Sequence, residues 1–285
     1  MKKGINAWCF PGSFSLKEAM EYSKRAGFEG FEPNISEEST KNFVSELKLQ
    51  ENPQFTLSSS DEEMLAIYKM SQEIGISLSS VSTSLHWTYS LTSEDEKIQQ
   101  KGMDIAERMI DAAKIFHADT ILVVPGLVNE KVSYIEAYKR SLDAFKKLRI
   151  KAERNKVYIG IENVWNKFLL SPMEMKRFID EIGSEYVKCY FDVGNVLQYS
   201  YPQYWIEVLG KYIKKVHVKD YDTSIGNISG FKPLLEGNVD WAKVMKALRL
   251  AGYDDYITAE LAPYQTIPEL LVSDTSRHMD EIFKL

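Results

Sequence analysis

The chain has 285 residues, 44% of them hydrophobic, and 35 basic against 41 acidic side chains for a formal net charge of −6. That length suits two small domains or one α/β barrel, and the acidic balance removes any bulk attraction for nucleic-acid phosphates or an anionic membrane surface. Neither is expected as a partner. The two cysteines, Cys9 and Cys189, sit in or beside apolar runs and read as buried free thiols, which suits a reducing compartment. Met1-Lys2-Lys3 is followed by Trp8, Pro11 and Gly12 rather than an apolar leader segment, and no run is long enough to span a bilayer, so a cytoplasmic protein is expected.

Strand-like and helix-like stretches alternate from end to end, the pattern of βα units around a parallel sheet. The first strand is predicted over Gly4–Trp8, with a helix over 15–26 capped by Ser15 and closed by Gly27. The second strand covers Phe28–Glu32. A polar stretch follows, with a helix expected near Lys41–Leu49, and Ser60 then caps a helix over 61–74 that stops at Gly75. The third strand is Ile76–Ser82, and the apolar spacing of Ile98, Ile105, Met109, Ile110, Ala113 and Phe116 predicts a long helix over 94–116.

A fourth strand, Thr120–Val124, ends at Pro125-Gly126 and precedes a second long helix over 132–154. Ser171, Pro172 and Glu174 open another helix after the fifth strand, a start resembling a capping box. The sixth strand, a short helix near Tyr204–Leu209, the seventh strand, a helix over 240–251, the eighth strand and a last helix from about Ile267 complete eight units. Eight βα units in 285 residues predict one (β/α)8 TIM barrel over 1–285 with no separate domain.

The last four predicted strands each end in a metal-binding side chain: Glu162 after Val157–Ile161, Asp192 after Val187–Phe191, His217 after Ile213–Val216, and Glu260 after Tyr256–Ala259. A carboxylate at a strand end often caps a helix or pairs with a lysine. Four such groups in consecutive units are harder to dismiss, because a parallel barrel brings the carboxyl ends of all its strands to one rim. Three carboxylates and one imidazole form a donor set for manganese first, with magnesium, cobalt or zinc as alternatives, and the lack of cysteine ligands argues against a structural zinc site.

An ion so held can chelate neighbouring oxygens of a polyol or ketose and stabilise the enediolate left when a carbon-bound proton departs. Glu162 and Glu260 are the candidate proton carriers. Used on opposite faces of a substrate they invert a carbon centre; used on one face they interconvert an aldose and a ketose. Trp8, Glu32, His86, Asn163, Asn195 and Lys219 lie at or beside predicted strand ends and are the candidate substrate contacts. The long loop from Lys219 to Asn238, rich in Ser, Gly and Asn, suits a flexible lid and a phosphate-binding segment.

Ile161-Glu-Asn-Val-Trp-Asn-Lys167, Phe191-Asp-Val-Gly-Asn195, Val216-His-Val-Lys-Asp220, Leu235-Glu-Gly-Asn-Val-Asp-Trp241 and Thr258-Ala-Glu260, together with Gly27-Phe-Glu-Gly-Phe-Glu32, resemble the sugar phosphate isomerase/epimerase families of the xylose-isomerase-like barrel superfamily. The nearest likeness is to hexulose-6-phosphate isomerase and L-xylulose-5-phosphate 3-epimerase chains. The resemblance implies one manganese-type ion on Glu162, Asp192, His217 and Glu260, the two glutamates as an acid/base pair, a small sugar or sugar phosphate as substrate, and a homo-oligomer. In ketose 3-epimerases of the tagatose/psicose type a histidine follows the metal aspartate by three positions and an arginine follows the metal histidine by six. Asn195 and Thr223 stand in those places here, which counts against a free-ketose 3-epimerase activity and makes Asn195 a hydrogen-bond donor to a substrate hydroxyl. Two other chemistries suit the same scaffold. One is a metal-dependent lyase or dehydratase acting on a polyol or inosose; the other, disfavoured by four histidines and an acidic charge, is endonuclease-IV-like DNA repair.

Overall fold

A computed structural model describes residues 1–37 and 55–285, so the helix expected near Lys41–Leu49 lies outside the described residues. Eight parallel strands form the sheet: β1 (Lys2–Asn6), β2 (Gly30–Glu32), β3 (Ser77–Leu78), β4 (Thr120–Val123), β5 (Tyr158–Glu162), β6 (Val187–Asp192), β7 (Ile213–Val218) and β8 (Tyr256–Ala259). Their order is β3-β2-β1-β8-β7-β6-β5-β4. Between β3 and β4 a single bridge, Val81 with Ile121, stands in place of a full ladder. The fold is a (β/α)8-type TIM barrel whose wall is incomplete at that seam.

Seven of the helices between or after these strands are long: α1 (Leu16–Ala26), α2 (Asp61–Ile74), α3 (Glu96–Ile115), α4 (Tyr134–Asn155), α5 (Pro172–Ile182), α7 (Trp241–Leu250) and α8 (Leu270–Ile282), with the shorter α6 (Pro202–Leu209) after β6. Local chemistry explains where they begin and end. Ser15, Ser60 and Ser133 each accept from the backbone N–H three residues on, while Glu18, Glu63 and Glu136 return a bond to the cap. Gly27 and Gly75 close α1 and α2 at φ of 93° and 77°, a conformation that a β-carbon penalises. Ser171 caps α5 as predicted, but Glu174 takes bonds from Tyr134 Oη and Leu170 N instead of completing a box. Among the described residues no helix is long and apolar enough to cross a membrane.

Side chains alternate along each strand, so one set packs against helices and the other fills the barrel. Phe191 of β6 stacks on Trp205 of α6 with ring centroids 6.2 Å apart, whereas Tyr190 and Asp192 turn inward. The interior is unusually polar. Near the amino ends of the strands Lys215, only 2% exposed, reaches Asp119 at 3.0 Å and Asp255 at 2.9 Å. Near the carboxyl ends stand the groups singled out above.

The segment after β7 folds back as a hairpin. Asp220–Tyr221 pairs antiparallel with Phe231–Lys232, and the buried Asp220 carboxylate accepts from Tyr221 N, Leu235 N, Val239 N and the Trp241 indole at 2.9–3.1 Å. One side chain therefore organises about twenty residues of excursion. Asp220→Ala leaves those donors facing a void, and a loss of roughly 3 kcal/mol is expected. Chemical unfolding measures that loss, and limited proteolysis is expected to cut first between residues 222 and 238.

Candidate metal centre and pocket

The pairing of neighbouring strands sets the geometry of the site. Asp192 and His217 are register partners on β6 and β7, His217 pairs with Thr258 on β8, and the Glu260 N–H donates to Val218 O to carry that pairing one step further. Glu162 ends β5 beside Tyr190. Four ligand-capable atoms, one each from Glu162, Asp192, His217 and Glu260, thus lie within 4.8 Å of one another. Of the four histidines, all among the described residues, His217 alone belongs to this group.

His217 is fully buried and held at one end. Its Nε2 donates to Glu32 Oε1 at 2.8 Å, while Nδ1 has no hydrogen-bond partner and faces Glu162 and Glu260 at 3.9 and 3.7 Å. A buried polar atom without a partner is costly unless a ligand completes it. An open imidazole nitrogen among three carboxylates fits a divalent cation, and the carboxylate behind the ring is the usual means of fixing which nitrogen is offered.

Glu32 is also fully buried. It accepts from Asn6 at 2.5 Å, Tyr190 Oη at 2.6 Å, Ser80 Oγ and His217, donors from β1, β6, the segment after β3, and β7. Burial by itself raises a carboxyl pKa, but the His217 charge and these donors outweigh it and hold Glu32 down at about 2. Burial likewise works against a charged imidazole, yet Glu32 and Glu260 push His217 well above its ordinary range. Unlike Glu32, Glu162 moves up. Burial, aided by the neighbouring Glu260 charge, raises it to about 7.

Asp192 is fixed by its neighbours. Asn163 donates from Nδ2 to Asp192 O and accepts from Asp192 N, both at 2.8 Å, and Asn195 N donates to Asp192 Oδ1 at 2.8 Å. Lys219 places its ammonium between Asp192 Oδ2, at 2.6 Å, and Glu260 Oε2. That approach requires glycine at 194, where a β-carbon would come within 2.6 Å of Lys219 Cγ. Lys219 offsets part of the negative charge that three carboxylates bring to one place.

A cavity of about 590 Å³ opens above the cluster, in the size range of small-molecule sites. Glu162 and Glu260 line it, as do Trp8, Asn195 and Lys219 among the expected substrate contacts, with Trp87, Trp165 and Phe231 as aromatic walls. Three of the expected contacts are not among the residues lining the pocket. Glu32 lies beneath His217 and has its oxygens engaged by Asn6, Ser80, Tyr190 and His217. His86 turns away, with Nε2 on Gly102 O at 3.2 Å in a fully buried setting. Asn163 spends its amide on the Asp192 backbone. Asn195 does reach the pocket, although its Nδ2 donates to Asn163 O at 3.0 Å; Thr223 is bonded to Asn238 out in the hairpin.

A profile described as xylose isomerase-like TIM barrel matches residues 20–282. Among curated proteins, L-ribulose-5-phosphate 3-epimerase UlaE of Escherichia coli (strain K12) is 25% identical over 257 residues, covering 88% of this chain and 83% of that protein. Solved structures with the same fold include an L-ribulose 3-epimerase (TM-score 0.76, 15% identity, 99% of this chain and 94% of that one). A D-psicose 3-epimerase determined in the presence of D-fructose gives 0.76, 18%, 99% and 98%. The 3-keto-D-glucoside 4-epimerase YcjR from E. coli gives 0.75, 16%, 100% and 100%.

Two measurements test the cluster. Glu32→Gln is expected to weaken manganese binding by about 10–100-fold, read by competition with a chelating dye, with the far-UV circular dichroism of the barrel retained. In the unaltered protein Glu162 and His217 must both give up protons to bind an ion, so affinity rises with pH. The slope of log affinity on pH is expected to fall from about two to about one as the pH passes about 7, where Glu162 ionises of its own accord.

Proposed function

Because the chain belongs to the xylose isomerase-like TIM barrel family, we propose that it is a divalent-metal-dependent isomerase or epimerase of a small ketose or ketose phosphate that removes and returns a carbon-bound proton. The observation that carries this reading is the quartet Glu162, Asp192, His217 and Glu260, gathered below a pocket with His217 Nδ1 left open toward the carboxylates. We take the ion to be manganese, on the donor set of three carboxylates and one imidazole. When bound, it supplies Lewis-acid charge to two adjacent sugar oxygens, which stabilises the enediolate left by deprotonation.

The four residues divide into two pairs. Asp192 and His217 are fully buried, do not line the pocket, and are held by Asn163, Asn195 and Glu32; they act as ligands only. Glu162 and Glu260 line the pocket from β5 and from the end of β8, with β6 and β7 between them on the wall. Each has a carboxylate oxygen positioned to take a proton from, or return one to, a carbon lying between them. Transfer across both faces inverts a stereocentre, and transfer on one face shifts a carbonyl. Trp8, Trp87 and Trp165 offer flat apolar surface to the C–H face of a sugar and keep bulk water from the reacting carbon.

Protein stripped with a chelator is expected to be inactive and to recover with manganese, while incubation of ketoses and their phosphates in heavy water places deuterium on a sugar carbon. Glu162→Gln and Glu260→Gln are each expected to lower kcat by about 10²–10⁴-fold. A product lighter than substrate by one water indicates a lyase instead, and full activity in Glu260→Gln removes that residue from proton transfer.

A further inference from the structure

Among the described residues Lys219 is the one lysine whose ammonium pairs with the quartet, and strand pairing explains its place. His217 pairs with Thr258 and Val218 with Ala259, so the next step along β7 brings Lys219 beside Glu260. Both of these side chains line the pocket, whereas His217 lies below it. The ammonium bridges Asp192 Oδ2, at 2.6 Å, and Glu260 Oε2, with the Phe231 ring 5.3 Å away.

The oxygen that Lys219 takes on Glu260 is also the one His217 faces. Glu260 Oε2 lies 3.7 Å from His217 Nδ1, the buried nitrogen without a hydrogen-bond partner. A single oxygen is thus turned both to the ammonium and to the place an ion would take. The other oxygen, Oε1, accepts no hydrogen bond among the described residues, on a side chain that meets the cavity. Glu162 also turns an oxygen to His217 Nδ1, at 3.9 Å, but among the described residues no ammonium hydrogen-bonds to it. The two glutamates are therefore held differently.

The last torsion of a glutamate is broad and two-fold, so nothing in the side chain itself distinguishes its two oxygens. A charge-assisted hydrogen bond to one of them does. The same ammonium opposes a dication placed a few ångströms away, because like charges repel most where water is scarce. We infer that Lys219 is a positioning residue for Glu260: its ammonium holds Oε2 on the cluster side, leaves Oε1 as the oxygen that carries a proton, and competes with the ion for Oε2. The proton-carrying part rests on the isomerase/epimerase reading above; the competition for Oε2 does not. Lys219 thus loosens the hold on the metal, the reverse of Glu32.

The test uses the full chain, with manganese affinity read by competition with a chelating dye and proton transfer read in heavy water. Lys219→Met, which removes the charge from a side chain of similar length, is expected to bind manganese about tenfold more tightly than the unaltered protein. With the ketose or ketose phosphate that takes up deuterium fastest, its kcat is expected to fall about 100-fold while KM moves by less than about threefold. On a Glu260→Gln background the same substitution is expected to lower activity no further, because the lysine acts through that carboxylate. Lys219→Cys alkylated with 2-bromoethylamine regains an ammonium of nearly the same reach and is expected to restore both the activity and the weaker manganese binding, which separates lost charge from misfolding; the native Cys9 and Cys189 are buried. Manganese binding that weakens or stays the same in Lys219→Met, an unchanged kcat, or a full second loss on the Glu260→Gln background each overturns the inference. If no ketose exchanges a proton in the unaltered protein, the isomerase reading fails, while tighter manganese binding in Lys219→Met still upholds the competition for Oε2.

Discussion

The carboxylate of Glu32, sealed in the barrel beneath His217, is the contact on which the site depends. An ionised carboxylate away from water is tolerated only when donors surround it. Here the donors come from Asn6, Ser80, Tyr190 and His217, on opposite sides of the barrel, so satisfying one charge also ties the walls together. The same contact decides which imidazole nitrogen is left for a ligand. With Nε2 committed, Nδ1 has only the Glu162 and Glu260 side to face.

From that point the arrangement spreads outward. Three carboxylates cannot crowd together without compensation, and Lys219 supplies it through a gap that only glycine at 194 leaves open. Two residues beyond β7, the buried carboxylate of Asp220 gathers the hairpin. The hairpin brings Phe231 against Trp165 and forms one side of the pocket. The carboxylate cluster and a wall of aromatic rings are thus joined through two adjacent residues, Lys219 and Asp220. The quartet divides along the same lines: Asp192 and His217 are held by Asn163, Asn195 and Glu32, and Glu162 and Glu260 meet the cavity.

Much of this was legible in the chain before any coordinates. Ser15, Ser60 and Ser171 marked three helix starts, and the quartet was found because apolar runs stopped at polar groups four times in succession. Other features escaped notice for identifiable reasons. Glu32 was read as a substrate contact because a strand end faces the rim, but depth along the barrel axis depends on strand stagger, which a linear pattern does not carry. Tyr190 was not singled out, although its place two residues before Asp192 already put both on one face of β6. The Ser, Gly and Asn of the hairpin gave no sign of what anchors it; that group, Asp220, lies at its edge and works through partners fifteen to twenty-one residues away.

By itself the sequence determined the architecture and the identity of the quartet, because strand and helix periods, caps and the succession of eight βα units are local or repeat at fixed intervals. Only the tertiary structure decided which polar groups meet. That Glu32 supports His217, that His86 turns to Gly102, that Asn163 serves the Asp192 backbone, and that Lys219 enters the cluster while Lys232 does not, all depend on stagger and on packing between strands remote in sequence. Hydrogen bonds act over about 3 Å, so the function of a polar group is set by its neighbours in space, and those are chosen only when the barrel closes.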